Sequence, residues 1–83
     1  MKEIVWASRA ARDLDRIDGV ARRRIIAAIE SMAESGRGDI RRFADVQPPE
    51  YRLRVGDWRI RFALDETDAI VILRVLPRDK AYR

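Results

Sequence analysis

The sequence predicts an α+β domain with elements in the order β-α-α-β-β-β, and three patterns support this prediction. Apolar residues recur at helical spacing through much of the first half of the chain. Residues 51–62 alternate between apolar and basic side chains around a Gly-Asp turn, and residues 69–76 form a nearly continuous apolar run. A chain of 83 residues has room for one core, so we expect a single domain over 1–83.

The first half of the chain predicts a short strand followed by two helices. Weak alternation up to Trp6 indicates the strand, and Ser8 is placed to cap a first helix over residues 9–18. A break at Asp18-Gly19 separates this helix from a longer one, for which Gly36 is placed to be the C-terminal cap. Two helices joined this tightly predict an αα-hairpin.

The segment 51–62 predicts a β-hairpin with a two-residue type II′ turn at Gly56-Asp57. The apolar pairs on one face are then Val55 with Trp58, Leu53 with Ile60, and Tyr51 with Phe62. The opposite face carries two arginine pairs, Arg54 with Arg59 and Arg52 with Arg61. Like charges directly opposite one another destabilise a sheet, so this face needs a neutralising partner.

Two further segments flank the hairpin. Residues 36–50 contain two glycines and Pro48-Pro49, which predicts an irregular or edge element because proline cannot donate to a sheet ladder. The apolar run 69–76 predicts a central strand that Pro77 ends. Arg74 lies within that run, so its charge requires a partner, a pocket or an open groove.

Composition excludes several classes of function. The chain has no cysteine and no histidine, which removes disulfides, thiol catalysis, histidine triads and the usual zinc sites, so we expect no metal and no cofactor. No apolar run reaches the ~20 residues needed to cross a bilayer, and the opening residues lack a signal-peptide pattern. We expect a cytoplasmic protein without a membrane partner.

The arginine pairs have two interpretations. RNA phosphates, or the acidic side chains of a partner protein, would neutralise closely spaced guanidinium groups. Alternatively the arginines form a solvated face with Asp57, Asp65 and Glu66 as counterions. Tyr82 near the end of the sequence is either a functional aromatic or a plug over the edge of the core.

Together these residues resemble a known family. Residues 51–62 closely resemble the YRLRVGDYRV hairpin of RelE-type toxins, and residues 74–83 resemble their RVGHRREVYR ending. The sequence is thereby identified as a member of the RelE/ParE superfamily of type II toxin–antitoxin toxins, on its RelE-like branch. The resemblance implies a microbial-RNase-like fold, in which an αα-hairpin packs on one face of an antiparallel sheet and the opposite face is basic and concave.

The resemblance further implies a ribosome-dependent mRNA endonuclease, in which a ribose 2′-oxygen attacks the adjacent phosphate without metal. The positions that match catalytic ones are Arg52, Arg54, Arg59, Arg78 and Tyr82. The expected RNA-binding residues are Arg61, Arg74, Lys80 and Arg83. Positions 52 and 54 hold arginine where lysine is familiar, and arginine cannot act as a general base, which leaves Tyr82 or an RNA group as the proton acceptor.

Two alternatives share the same fold. A ParE-like toxin would inhibit DNA gyrase by binding, without nuclease activity, and Pro77 stands where the nuclease pattern often has histidine. A degenerate toxin would only bind its antitoxin and repress their operon with it. The expected partners are a cognate antitoxin in a hetero-oligomer, together with the ribosome and mRNA or, alternatively, gyrase.

Overall fold

The computed structural model describes residues 1–80, and these residues confirm the α+β class and the order of the predicted elements. The elements are β1 (Ile4–Trp6), α1 (Ser8–Asp15), α2 (Gly19–Ser35), β2 (Asp39–Arg42), β3 (Tyr51–Val55), β4 (Trp58–Leu64), β5 (Ile70–Pro77) and a 3-10 turn (Arg78–Lys80). The segment predicted to be irregular or an edge element contains β2. None of the helices in the described part of the chain combines the length and apolarity needed to span a bilayer.

The strands form one sheet in the order β1-β5-β4-β3-β2. Neighbours from β2 to β5 are antiparallel, as predicted, whereas β1 pairs with β5 in parallel. Consecutive strands joined by short turns must run antiparallel. Because no short turn joins β1 to β5, these two strands can run in the same direction. The sheet is therefore mixed.

Both ends of α2 agree with the predicted break at Asp18-Gly19 and the predicted cap at Gly36, whereas α1 ends at Asp15, three residues before the predicted end. The side chain of Asp18 caps α2 by accepting hydrogen bonds from the backbone N–H groups two and three residues further on. Gly36 ends α2 with a left-handed φ of 72°, and its N–H donates to a carbonyl of the last turn. The prediction for α1 is wrong, because Ala7 occupies the capping position and Ser8 is the first helical residue.

The hairpin of β3 and β4 has the predicted register throughout. Gly56 has a φ of 57°, as the first central position of a type II′ turn requires. On the apolar face, the rings of Tyr51 and Phe62 stack across the two strands with their centroids 5.4 Å apart. The arginines alternate with these apolar residues along both strands and therefore lie on the opposite face of the sheet.

The core lies between the helices and one face of the sheet. Its largest fully buried side chains are Ile25, Ile29, Leu53, Ile60, Ile70 and Ile72. Val75 and Phe62 extend it along the central strands. This face is thus filled by apolar side chains, and the sheet can carry charge only on its other face and at its edges.

An irregularity in β5 changes which of its residues face the core. Arg61 pairs with Arg74, but Phe62 pairs with Ile72, so Leu73 is an extra residue in β5. The buried residues are consequently Ile70 and Ile72 before the bulge and Val75 after it. Without the bulge, strict alternation would turn Arg74 toward the core.

Candidate nucleic-acid interface

Four arginines lie side by side across the sheet, one on each of β2, β3, β4 and β5. Arg41 pairs with Arg52, Arg52 with Arg61, and Arg61 with Arg74. We call these four residues the arginine row. Since neighbouring strands are ~4.8 Å apart, the row spans ~14 Å, and directly opposed residues share a face of the sheet.

A second row of cross-strand partners lies nearer the hairpin turn and contains Arg54 and Arg59. Arg54 is exposed, whereas Arg59 is only 5 % exposed. The guanidinium of Arg59 folds back and donates to the carbonyl oxygens of Gly56 at 2.8 Å and Trp58 at 3.0 Å. Its Nε is buried and has no hydrogen-bond partner among the described residues, so a donor remains unsatisfied beside the turn.

Arg61, near the centre of the arginine row, is held by two neighbours. Its Nη2 donates to Glu50 at 2.8 Å, and its guanidinium carbon lies 4.5 Å from the centre of the Phe43 ring. Both neighbours belong to the connection between β2 and β3. A cation–π contact and a hydrogen-bonded ion pair together fix the direction of this guanidinium.

Asp39 is the carboxylate nearest the two arginines of β3. Its oxygens lie 3.8 Å from Arg52 Nη2 and 4.0 Å from Arg54 Nη1, which are ion-pair distances rather than hydrogen bonds. Arg52 is 8 % exposed and Arg54 is exposed. The charge of Arg52 is therefore mostly withdrawn from water, and its ion-pair partner among the described residues is distant, which is an energetically costly arrangement.

The charge of Arg74, which lies within an apolar strand, is paired with the carboxylate of Asp13 on α1. Arg74 Nε donates to Asp13 Oδ2 at 2.8 Å and Nη2 donates to Oδ1 at 3.1 Å. Burial of the Asp13 carboxyl raises its pKa, but hydrogen bonds from Arg74 and the Val75 N–H, with the charges of Arg74 and Arg9, outweigh this and hold the pKa below 3.8. The same hydrogen bond to Asp13 raises the pKa of Arg74.

The Asp13 carboxylate also completes the edge of the sheet. β1 pairs only with the first half of β5, and α1 lies against the remainder. There the backbone N–H of Val75 donates to Asp13 Oδ2 at 2.9 Å. A side chain thus replaces the missing strand at this point of the ladder.

The remaining predicted site residues belong to the tail. Arg78 and Lys80 are exposed on the 3-10 turn, where the Arg78 N–H donates to the Asp57 carbonyl at 2.8 Å and keeps the start of the tail beside the hairpin turn. Tyr82 and Arg83 lie outside the described residues. Arg78 therefore lies at the turn end of the sheet, where Arg54 and Arg59 also lie.

Sequence reasoning missed Arg41 and Asp13. The alternation that marks Arg41 occurs in the short segment Asp39–Arg42, next to glycine and close to two prolines, which obscures a strand. Asp13 is one of several charged residues on α1, and nothing in its local sequence distinguishes it. In residues 1–80, no three His, Cys, Asp or Glu side chains converge as they would to hold a metal ion.

Comparison with known proteins agrees with this fold. A family model described as the ParE toxin of the type II toxin–antitoxin system, parDE, matches residues 4–82. In the RelB–RelE complex from Methanococcus jannaschii, one chain shares 30 % identity with a TM-score of 0.76, and 94 % of each chain is covered. A search among curated proteins found no match.

Two more distant structures share the fold. One is a chain of the RelE–RelB complex from Pyrococcus horikoshii, with 20 % identity, a TM-score of 0.77, and coverage of 96 % of this chain and 98 % of that one. The other comes from the RelBE2 toxin–antitoxin complex of Mycobacterium tuberculosis, with 19 % identity, a TM-score of 0.79, and coverage of 93 % and 98 %.

The fold and the matched family define a toxin of a type II toxin–antitoxin system. The chain belongs to the ParE toxin family, within the RelE/ParE superfamily.

Proposed function

We propose that this toxin is an endoribonuclease that cleaves mRNA on the ribosome, and the arginine row is the observation that carries the proposal. The arginine row contains four arginines, and Arg54 and Arg59 beside it bring the number to six. Three carboxylates form ion pairs with these six arginines, so positive charge is in excess. The excess charge is arranged along a line, as an extended phosphate backbone requires. Planar guanidinium groups also suit the geometry of phosphate oxygens.

The chemistry follows from the residue types present. A ribose 2′-oxygen attacks the adjacent phosphorus, the 5′-oxygen of the next nucleotide leaves, and a 2′,3′-cyclic phosphate forms. Guanidinium groups stabilise the negative charge that develops on the phosphorane oxygens. Because arginine does not lose its proton near neutral pH, the base is Tyr82 or a group of the RNA.

The arginines have different roles in this proposal. Arg54, Arg78 and Lys80 are exposed and can contact RNA directly. Arg59 and Arg52 are buried, so they act on RNA as fixed positive charges. Arg61 is half-buried and already oriented by Glu50, and it presents its remaining donors at the middle of the row.

We further propose that a cognate antitoxin binds this chain in a hetero-oligomer and that both act in the cytoplasm. The solved relatives from Methanococcus jannaschii, Pyrococcus horikoshii and Mycobacterium tuberculosis were each found in complex with an antitoxin. An uninhibited ribonuclease would arrest its own host. Expression of this chain alone should therefore stop growth, and co-expression of the antitoxin should restore it.

Primer extension on a message undergoing translation tests the nuclease proposal. Wild-type protein should produce new 5′ ends within codons, and none should appear when ribosomes are omitted. Tyr82→Phe and Arg78→Ala should lower the cleavage rate by roughly 10² to 10³, while ribosome binding remains close to wild type. Arg37→Ala, which removes an exposed arginine elsewhere, is the matched control and should leave the rate unchanged.

A second candidate is inhibition of DNA gyrase without nuclease activity. It is favoured by the ParE description of the matching family and by the burial of Arg52 and Arg59, two of the residues at catalytic positions. Supercoiling assays with purified gyrase separate the two functions. If gyrase is inhibited, the message stays intact and both tail variants remain toxic, the nuclease proposal is wrong.

A further inference from the structure

A second group of arginines lies on α1, beyond the β5 end of the arginine row. Arg9, Arg12 and Arg16 are exposed and spaced three and four residues apart, so they share one face of the helical segment. With Asp13 and Arg74 they line a cleft of about 230 Å³. We call this the α1 cleft.

The α1 cleft has an excess of positive charge. Four guanidinium groups and one carboxylate line it, which gives a net charge of +3. The carboxylate of Asp13 is already engaged by Arg74 and by the backbone of Val75. Among the described residues, no carboxylate lies within ion-pair distance of the three helix arginines.

The stability of α1 explains only part of this pattern. Arg9 lies in the first turn, where a positive charge opposes the helix dipole, although its charge also attracts Asp13 four residues further on. Arg12 in the last turn and Arg16 at the C-terminal cap are favoured by the dipole. They are nevertheless like charges four residues apart, an arrangement that costs a helix roughly 0.2–0.5 kcal/mol. The repulsion between Arg12 and Arg16 and the placement of Arg9 are therefore the parts of the pattern that helix stability does not explain.

Arg74 connects the α1 cleft to the arginine row. Its Nε and Nη2 bind Asp13, whereas its Nη1 has no hydrogen-bond partner among the described residues. A neighbouring groove is lined by Arg9, Arg61 and Arg74 together with Glu50 and smaller or apolar residues, so its arginines outnumber its carboxylates and connect the sheet with α1.

We propose that the α1 cleft binds a phosphate group of an RNA strand whose adjoining segment lies along the arginine row. This inference rests on the proposed nuclease function and adds a second contact site to it. Arg9, Arg12 and Arg16 contribute affinity and set the path of the strand, and they take no part in the chemistry.

Binding of a fluorescein-labelled oligouridine to the purified full chain, measured from 0.05 to 0.5 M salt, tests the proposal. The double variant Arg12→Gln/Arg16→Gln removes two charges from the cleft, while Arg23→Gln/Arg37→Gln removes two exposed charges elsewhere and keeps the net charge equal. Glutamine preserves helix propensity. The cleft variant should lose about 1.4 from the salt slope, or about 0.7 per phosphate contact.

At 0.1 M salt this slope change corresponds to about 25-fold weaker binding, if the affinities converge near 1 M. The control variant should retain the wild-type slope. An equal decrease of the salt slope in both variants would show that only the overall charge matters. An unchanged salt slope in the cleft variant would show that the cleft does not bind RNA. Either result overturns the proposal.

Polyglutamate, used in place of RNA, distinguishes an acidic protein partner. If the cleft variant loses affinity for polyglutamate but keeps its affinity for RNA, the cleft serves a protein and the proposal is wrong. The nuclease function can fail separately. If the cleft variant shows the expected decrease in salt slope but primer extension finds the message uncleaved, the cleft proposal is supported and the endonuclease proposal is wrong.

Discussion

Replacing Asp13 with alanine should destabilise the folded chain by about 3 kcal/mol. The substitution removes three hydrogen bonds, two to the Arg74 guanidinium and one to the Val75 N–H. Loss of one partner from a buried ion pair costs roughly 3–5 kcal/mol. Because the Arg74 side chain is 29 % exposed and can be partly rehydrated, the lower end of this range applies.

Urea and thermal unfolding measure this loss. In a domain of this size, 1 kcal/mol lowers Tm by roughly 4–8 °C, so Asp13→Ala should lower it by about 12–24 °C. Asp15→Ala is the matched control, since this carboxylate is exposed on the same helix and forms no hydrogen bond or ion pair with a described residue. Its effect should stay within about 0.5 kcal/mol.

The pH dependence of the difference in unfolding free energy between wild type and Asp13→Ala provides a second check. The pKa of Asp13 is lowered in the folded state, so its stabilisation is fully present above the unfolded value near 3.8 and is lost as the pH falls through the folded value. The stability gap between wild type and Asp13→Ala should therefore be constant from pH 5 to 7 and should narrow below about pH 4. A gap no larger than that of the Asp15 control, or one that narrows above pH 5, would refute the reasoning.

Three other outcomes are expected. Gly36→Ala should cost about 1–2 kcal/mol in urea unfolding, because φ is 72° while the added Cβ meets no atom within 4 Å; an unchanged midpoint would contradict this. Asp39→Asn should tighten oligouridine binding several-fold by removing a negative charge beside Arg52 and Arg54, whereas weaker binding would show that Asp39 holds the arginines in place. Chelator treatment of the purified toxin should leave message cleavage on intact ribosomes unchanged, because the sequence has no histidine or cysteine, and recovery only on adding zinc would contradict the mechanism.

The features that the sequence predicted well are those encoded within a few residues. The Gly56-Asp57 turn fixes the register of β3 against β4, and the turn requires only that dipeptide and the alternation on either side. Gly36 marks the end of α2 through its own conformational preference, and the Asp18-Gly19 dipeptide marks the break between the helices. The shared face of the hairpin arginines followed directly from this local register.

The features that could not be predicted join distant parts of the chain. Asp13 and Arg74 are 61 residues apart, and a carboxylate on a charged helix has no local property that reveals its partner. The parallel pairing of β1 with β5 is equally non-local. The burial of Arg59 depends on contacts with turn carbonyls, which strand alternation alone does not report.

The bulge at Leu73 is a place where β5 can differ in length between related sequences. Leu73 is the extra residue, so its deletion would leave Ile72 followed directly by Arg74, and regular alternation would then keep Val75 in the core. Arg74 would still face away from the core and could remain in the arginine row. Related sequences should therefore occur with or without a residue at this position, and aligning those that have it by hydrophobic alternation alone would misplace the end of the strand.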